Sequence, residues 1–240
     1  MAEEMHVPAD PGVARQRLLL VAAAAFAEVG LEATQADIAT RAGVGVATIY
    51  RRFANKDDLI REVYEAPLWA AVEQARRAEG AANAWQGFVE FVQSSAENLA
   101  RDRGLRDLVL GGFGATFGWA RGSDPRALAN LLRDTDAAVS SYLSALIARA
   151  QHDGDLRDDF EVTDVQLVTA MIQAAATLGW LSAPQLHQRA ITFVLDGLRA
   201  ARATPSIPKA PALTQDQLDQ LMRRSTSDGT DQAGGSSSAG

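Results

Sequence analysis

Between Arg41 and Lys56 the sequence places four cations, Arg41, Arg51, Arg52 and Lys56, and no carboxylate, in a chain whose formal net charge is -7. The hydroxyls of Thr48 and Tyr50 lie among them. Guanidinium, ammonium and hydroxyl groups are the donors that phosphate oxygens accept from, and their gathering where the charge reverses sign marks a place where a polyanion would be tolerated. The chain as a whole is acidic, with a pI near 5.0, which confines any DNA contact to this patch and argues against indiscriminate binding to nucleic acid or to an anionic membrane.

Short helices must position these donors. Thr34 with Asp37 fits a capping-box start, and Ile38 with Ala42 then set an apolar stripe at i, i+4. Gly43-Val44-Gly45 supplies a tight connection, after which Val46, Ile49, Tyr50 and Phe53 recur at the spacing of a second helix with one buried face. Two short helices joined by a glycine-containing turn describe a helix-turn-helix, although the same pattern also occurs as plain structure in all-helical proteins. An earlier helix is expected over 13–29, with Leu19, Ala22, Phe26 and Val29 on one face and Gly30 as its stop. A fourth opens at Asn55, has Asp57 and Asp58 in its first turn, and should be kinked or interrupted at Pro67.

Beyond Gly80 the periodicity remains helical, over 84–101, 105–111, 125–151, 163–182 and 184–202. Asp124-Pro125 reads as an N-cap followed by proline at the first helical position, and Thr163 with Gln166 as another capping box. No segment alternates as a strand does, so the fold class is all-α. Residues 1–12 read as a flexible arm, and 203–240 as a Pro/Ser/Gly-rich tail in which 214–224 could form a short helix carrying Leu218, Leu221 and Met222. Cysteine is absent, the N-terminal residues lack a basic apolar leader pattern, and the longest apolar stretch, 18–27, is too short to span a bilayer. A cytoplasmic protein with no membrane association is expected.

Several chemistries fail on spacing. The acidic run 153–159 lacks the order of a calcium loop, and no metal site is expected. His6, His152 and His187 are scattered without a nearby nucleophile, so no catalytic residue is expected. The glycine tract 111–118 is not preceded by a strand and carries no Gly-Lys-Ser/Thr, so it is no phosphate loop and no cofactor is implied.

Residues 15–64, about a fifth of the chain, resemble the DNA-binding domain of the TetR family of bacterial transcriptional regulators. The pattern comprises Phe26-Ala27-Glu28, Gly30, Thr34, Asp37-Ile38-Ala39, Ala42-Gly43-Val44, Thr48-Ile49-Tyr50, Phe53 and Lys56. The resemblance implies that Thr48, Tyr50 and Lys56 touch phosphates and that Val46, Ala47, Arg51 and Arg52 lie on the recognition helix. It also places Gln35 near the DNA backbone. Ala25 stands where the family commonly has a larger aliphatic residue, and Val46-Ala47 leave the helix tip apolar. Base readout would then fall mainly on Arg52, with thymine-methyl contact open to Val46 and Ala47.

The resemblance further implies a helix-turn-helix domain over 13–58 joined to a helical ligand-binding and dimerisation domain over 59–202. Its residues do not transfer there, and aromatic content is the guide. Trp69, Phe88, Phe91, Phe113, Phe117, Trp119 and Trp180 are expected to border a site for a small apolar or aromatic effector, ordinary core packing being the alternative for each. Val168, Ile172, Ile191, Leu195 and Leu198 lie on stripes that either close a monomer core or form a four-helix dimer bundle, and the resemblance favours the homodimer. The resulting expectation is a repressor that binds a palindromic double-stranded DNA operator and is released by its ligand. Two alternatives stand beside it: a ligand-independent DNA-binding regulator, and a helical small-molecule-binding module or enzyme with a vestigial helix-turn-helix.

Overall fold

The computed structural model describes residues 11–110, 126–179 and 186–200, together with residues 214 and 216. Among them, nine helices follow one another: α1 (Pro11–Val29), α2 (Gln35–Ala42), α3 (Val46–Arg52), α4 (Lys56–Glu79), α5 (Ala84–Arg101), α6 (Arg103–Leu110), α7 (Arg126–His152), α8 (Asp164–Gly179) and α9 (Leu186–Leu198). No described segment forms a strand beyond the isolated bridge between Leu156 and Arg199. The molecule is all-α, and no described helix is long and apolar enough to cross a membrane.

The boundaries follow from local chemistry. Thr34 and Asp37 form the reciprocal capping box that opens α2, and Gly43 closes it at φ +67°, donating its N–H to the Ala39 and Thr40 carbonyls. Asn55 caps α4 through the Asp58 N–H, and Asn83 caps α5 through the Gln86 N–H. The expected box at the start of α8 does not form. Thr163 Oγ1 is buried without a partner, Gln166 instead donates to the Val109 carbonyl at 2.9 Å, and the Asp164 carboxylate accepts from the Glu161 N–H. Pro67 does not interrupt α4, which runs through it for 24 residues; the cost falls on one hydrogen bond, that of the Val63 carbonyl, in a long and otherwise well-packed helix.

Two clusters of buried side chains meet along α4. The first gathers Phe26, Ile38, Ile49, Phe53, Ile60 and Tyr64 from α1 to α4, and reaches Leu108 on α6 and Leu128 on α7. On α1 Ala22 and Phe26 are buried and Leu19 packs partly buried against their cluster, but Leu18 and Ala25 complete the buried stripe while Val29 is exposed. The second cluster joins the far end of α4 to α5, α7, α8 and α9 around Trp85, Phe88 and Phe160. Phe88 and Phe160 meet edge to face at 5.7 Å between centroids, a geometry worth about 0.5–1.5 kcal/mol beyond area burial. Of the expected arm 1–12, Pro11 and Gly12 instead open α1 and the remainder lies outside the described residues, as do the Asp124-Pro125 cap and nearly all of the 214–224 helix.

Candidate nucleic-acid interface and effector cavity

The face that α3 presents is set by what lies beneath it. Ile49 and Phe53 are buried, whereas Val46 and Tyr50 are exposed at 40% and 56%, so only half of the expected apolar face faces inward. The Tyr50 ring is therefore on the surface with Val46, Ala47 and Arg51. Arg51 donates to Thr48 Oγ1 at 3.2 Å, one turn back along the helix. Arg52 is half-buried, and its carbonyl accepts from Arg15 of α1 at 3.4 Å. Arg15 also stacks its guanidinium 4.9 Å from the Phe53 centroid and pairs with Glu62 of α4. A single arginine thus ties the end of α3 to α1 and α4, a role that position 15 does not betray in sequence.

Two expected contacts, Lys56 and Gln35, stand differently, and so does one cation of the patch, Arg41. Lys56 is buried, and its Nζ donates to the Leu31 carbonyl, because the first turn of α4 folds back over the loop that precedes α2. Burial pulls its pKa below the ordinary lysine value. In this arrangement Lys56 secures the loop and does not present its ammonium to a phosphate. Gln35 is also buried, with Nε2 lacking a partner, so it is no surface donor here. Arg41 is paired with Glu28 at 2.6 Å, which offsets part of the positive patch. Asp37 is held below the usual carboxylate range by the Thr34 hydrogen bonds that cap α2.

A cavity of about 580 Å³ lies between α4, α5, α6, α7 and α8. Its apolar wall includes Leu68, Phe91, Leu99, Leu108, Leu132 and Val139, and Gln74, Asn98 and Thr135 add polar atoms. Phe91 is at the cavity. Phe88 is not, being fully buried between Trp85 and Phe160, and Trp69 is not, being 46% exposed on α4. Phe113, Phe117, Trp119 and Trp180 lie outside the described residues. The stripes expected to dimerise also need correction: Val168, Ile172, Ile191, Leu195 and Leu198 are all buried in the core of the single chain. Among the described residues, the large apolar side chains left exposed on the same helices are Leu167 and Met171 on α8 and Phe193 on α9.

One helix touches both the cavity and the segment that leads into the helix-turn-helix. On α6, Leu105 and Leu108 line the cavity, while Asp107 accepts from the Leu31 N–H at 2.9 Å and Arg103 donates to the Glu28 carbonyl at 3.3 Å. Gly104 lets α6 approach: a methyl group there would overlap the Tyr64 hydroxyl and come within 2.9 Å of Phe26 Cβ. Tyr64 in turn donates to Asp102 at 2.8 Å. Asp102, Arg103, Gly104 and Asp107 do not stand out in the sequence. A glycine within a short helical pattern, with an aspartate two positions before it and another three after, was the available signal.

Comparison with known proteins agrees with this arrangement. Residues 18–63 match the model for bacterial regulatory proteins of the tetR family, and residues 83–200 match that for the C-terminal domain of SbtR-like transcriptional regulators. A TetR transcription regulatory protein from Mycobacterium vanbaalenii is 30% identical over 78% of this chain and 96% of its own, with a TM-score of 0.45. A TetR transcriptional regulator from Streptomyces coelicolor is 24% identical over 78% of this chain and 99% of its own, with a TM-score of 0.50. FadR from Bacillus subtilis, solved in complex with stearoyl-CoA, shares the fold at 16% identity and a TM-score of 0.54, over 77% of this chain and 99% of its own. No curated protein matches by sequence. With a tetR-family model matched over residues 18–63 and a regulator C-terminal-domain model over 83–200, more than half of the chain between them, this chain belongs to the TetR family of bacterial transcriptional regulators.

Proposed function

We propose that the chain is a homodimeric repressor that binds a palindromic DNA operator through α3 and is released by a small, largely apolar molecule held in the cavity. The observation that carries this reading is the double contact of α6, whose one side lines the cavity and whose other side holds the loop that leads into α2. A molecule that shifts α6 must strain or move that loop, and with it the recognition helix. Operator and effector then oppose each other reciprocally, since each favours a different placement of the same element. FadR from Bacillus subtilis was solved with an acyl-CoA bound, which supports a ligand-responsive reading for a chain of this fold.

In this reading, residues 13–58 serve DNA and 59–202 serve effector and partner. Val46, Ala47, Tyr50 and Arg51 are the exposed side chains of α3 and form the contact surface, with Thr48 positioning Arg51. Arg52 remains the candidate for base readout from the flank of the helix. The dimer forms through Leu167, Met171 and Phe193, the large exposed apolar residues described on α8 and α9, instead of the buried stripe behind them. Two recognition helices related by a twofold axis read half-sites about one helical turn apart. The test is anisotropy of a labelled duplex carrying the region upstream of the chain's own gene. Binding that saturates at two chains per site and falls on addition of an apolar effector supports the reading; affinity equal to that for random duplex removes it.

A further inference from the structure

The effector cavity carries one charge set into its wall. Of the four charged residues that line it among those described, Arg77, Arg101 and Asp136 are exposed and Asp102 is half-buried. Arg101 is moreover drawn to Glu97 at 3.2 Å, on the exposed side of α5. Asp102 sits between α5 and α6, where its Oδ1 accepts twice, from the Tyr64 hydroxyl at 2.8 Å and from the Leu105 N–H at 2.9 Å. Both bonds fall on Oδ1, which leaves Oδ2 as the acceptor that a bound molecule can use.

An ionised carboxylate beside Leu68, Leu99, Leu105 and Leu108 is poorly solvated compared with one in water, and it gains most from a donor that carries positive charge. We propose that the effector is a protonated apolar or aromatic amine whose ammonium docks on Asp102 while its hydrocarbon body fills the cavity. The inference rests on the cavity being the effector site and adds the chemical class that the site selects. Asp102 is also the residue that holds Tyr64 and the first turn of α6. An ammonium on Oδ2 therefore draws on the same carboxylate that fixes the helix gripping the Gly30–Leu31 loop, which places the charged end of the ligand where its arrival is felt by the DNA-binding half.

The experiment titrates the full-length protein with three probes of matched size, 2-(1-naphthyl)ethylamine, 2-(1-naphthyl)ethanol and 1-naphthylacetate, by calorimetry, and repeats the series on Asp102→Asn and Asp136→Asn. The amide keeps an acceptor for Leu105 and Tyr64 while removing the charge, and melting temperatures report whether it folds. The expected result is about tenfold tighter binding of the amine than of the carboxylate, lost in Asp102→Asn and kept in Asp136→Asn, with alcohol binding changed by less than about threefold. Equal affinities for all three probes overturn the amine preference and leave the cavity reading standing. Loss of the preference in Asp136→Asn instead of Asp102→Asn also overturns it, and failure of every probe to bind overturns the cavity reading and this inference together.

Discussion

Asp107 reaches across from α6 to accept the backbone N–H of Leu31 at 2.9 Å, a bond between residues 76 positions apart that fastens the cavity wall to the loop between α1 and α2. Gly30, beside it, adopts φ +93°, and a methyl group there would overlap the same carboxylate. The loop is therefore shaped to receive Asp107. Asp107→Ala removes a charge-assisted bond and is expected to cost about 1.5–3 kcal/mol in urea unfolding. More tellingly, it should leave effector binding intact while uncoupling it from operator release. Retained release at wild-type effector concentrations would show that the signal does not pass through this contact.

Gly104 makes the approach of α6 possible. Gly104→Ala forces a methyl group against the Tyr64 hydroxyl and Phe26, an overpacking expected to cost about 1–3 kcal/mol. Chemical denaturation of the variant checks the figure. Tyr64→Phe in the same chain should recover only part of it, because Tyr64 Cζ is itself 3.0 Å from the added atom.

Lys56 separates the two readings of the basic patch. If its amine holds the Leu31 carbonyl, Lys56→Ala lowers the melting temperature and leaves the salt dependence of DNA binding unchanged. A phosphate contact would instead reduce the slope of log K against log salt by about one unit with little change in stability. Arg51→Ala, on the exposed face, is expected to do the latter.

Asp57 provides a test with a defined sign. It is buried with Oδ1 unpartnered, and burial, reinforced by the neighbouring Asp58, raises its pKa above the ordinary aspartate value. A folded pKa above the unfolded one means that the charged form is disfavoured in the native state; the penalty is fully present above the folded pKa and vanishes below the unfolded value. Asp57→Asn should therefore raise the melting temperature at pH 7 by about 2 °C or more, with the gain fading as the pH falls toward the ordinary aspartate range. A gain that persists at pH 3 would contradict the assignment.

The dimer prediction turns on adjacent positions. Met171→Asp or Phe193→Asp should yield a folded monomer by sedimentation, since both side chains are exposed in the single chain. Ile172→Asp should instead unfold the protein, because Ile172 is buried among α5, α8 and α9.

Much of this architecture was legible because it depends on local chemistry. Thr34 and Asp37 cap α2 through contacts three residues apart, Gly43 takes a left-handed conformation, and Asn55 caps α4, all within reach of short-range rules. What escaped depends on distance in sequence. Lys56 turns inward because a carbonyl 25 residues earlier lies within its reach. Met171 and Ile172 are one residue and about 100° apart on α8, and periodicity reveals two apolar flanks without saying which faces α5. Thr163 and Gln166 had the spacing of a cap, but Val109, 57 residues away from Gln166, claimed the amide. Phe88 and Phe91 both read as aromatic mass near a pocket, and only packing placed one in the core and one at the cavity.

The central claim is specific DNA recognition by paired α3 helices, and selection from random duplex DNA tests it most directly. Wild-type protein should enrich an inverted repeat with half-site centres about 10 base pairs apart, and Arg52→Ala with Val46→Ala, at the positions assigned to base readout, should lose that enrichment while the protein remains folded. No enriched sequence, a single unpaired half-site, or enrichment unchanged by the α3 substitutions would contradict the account.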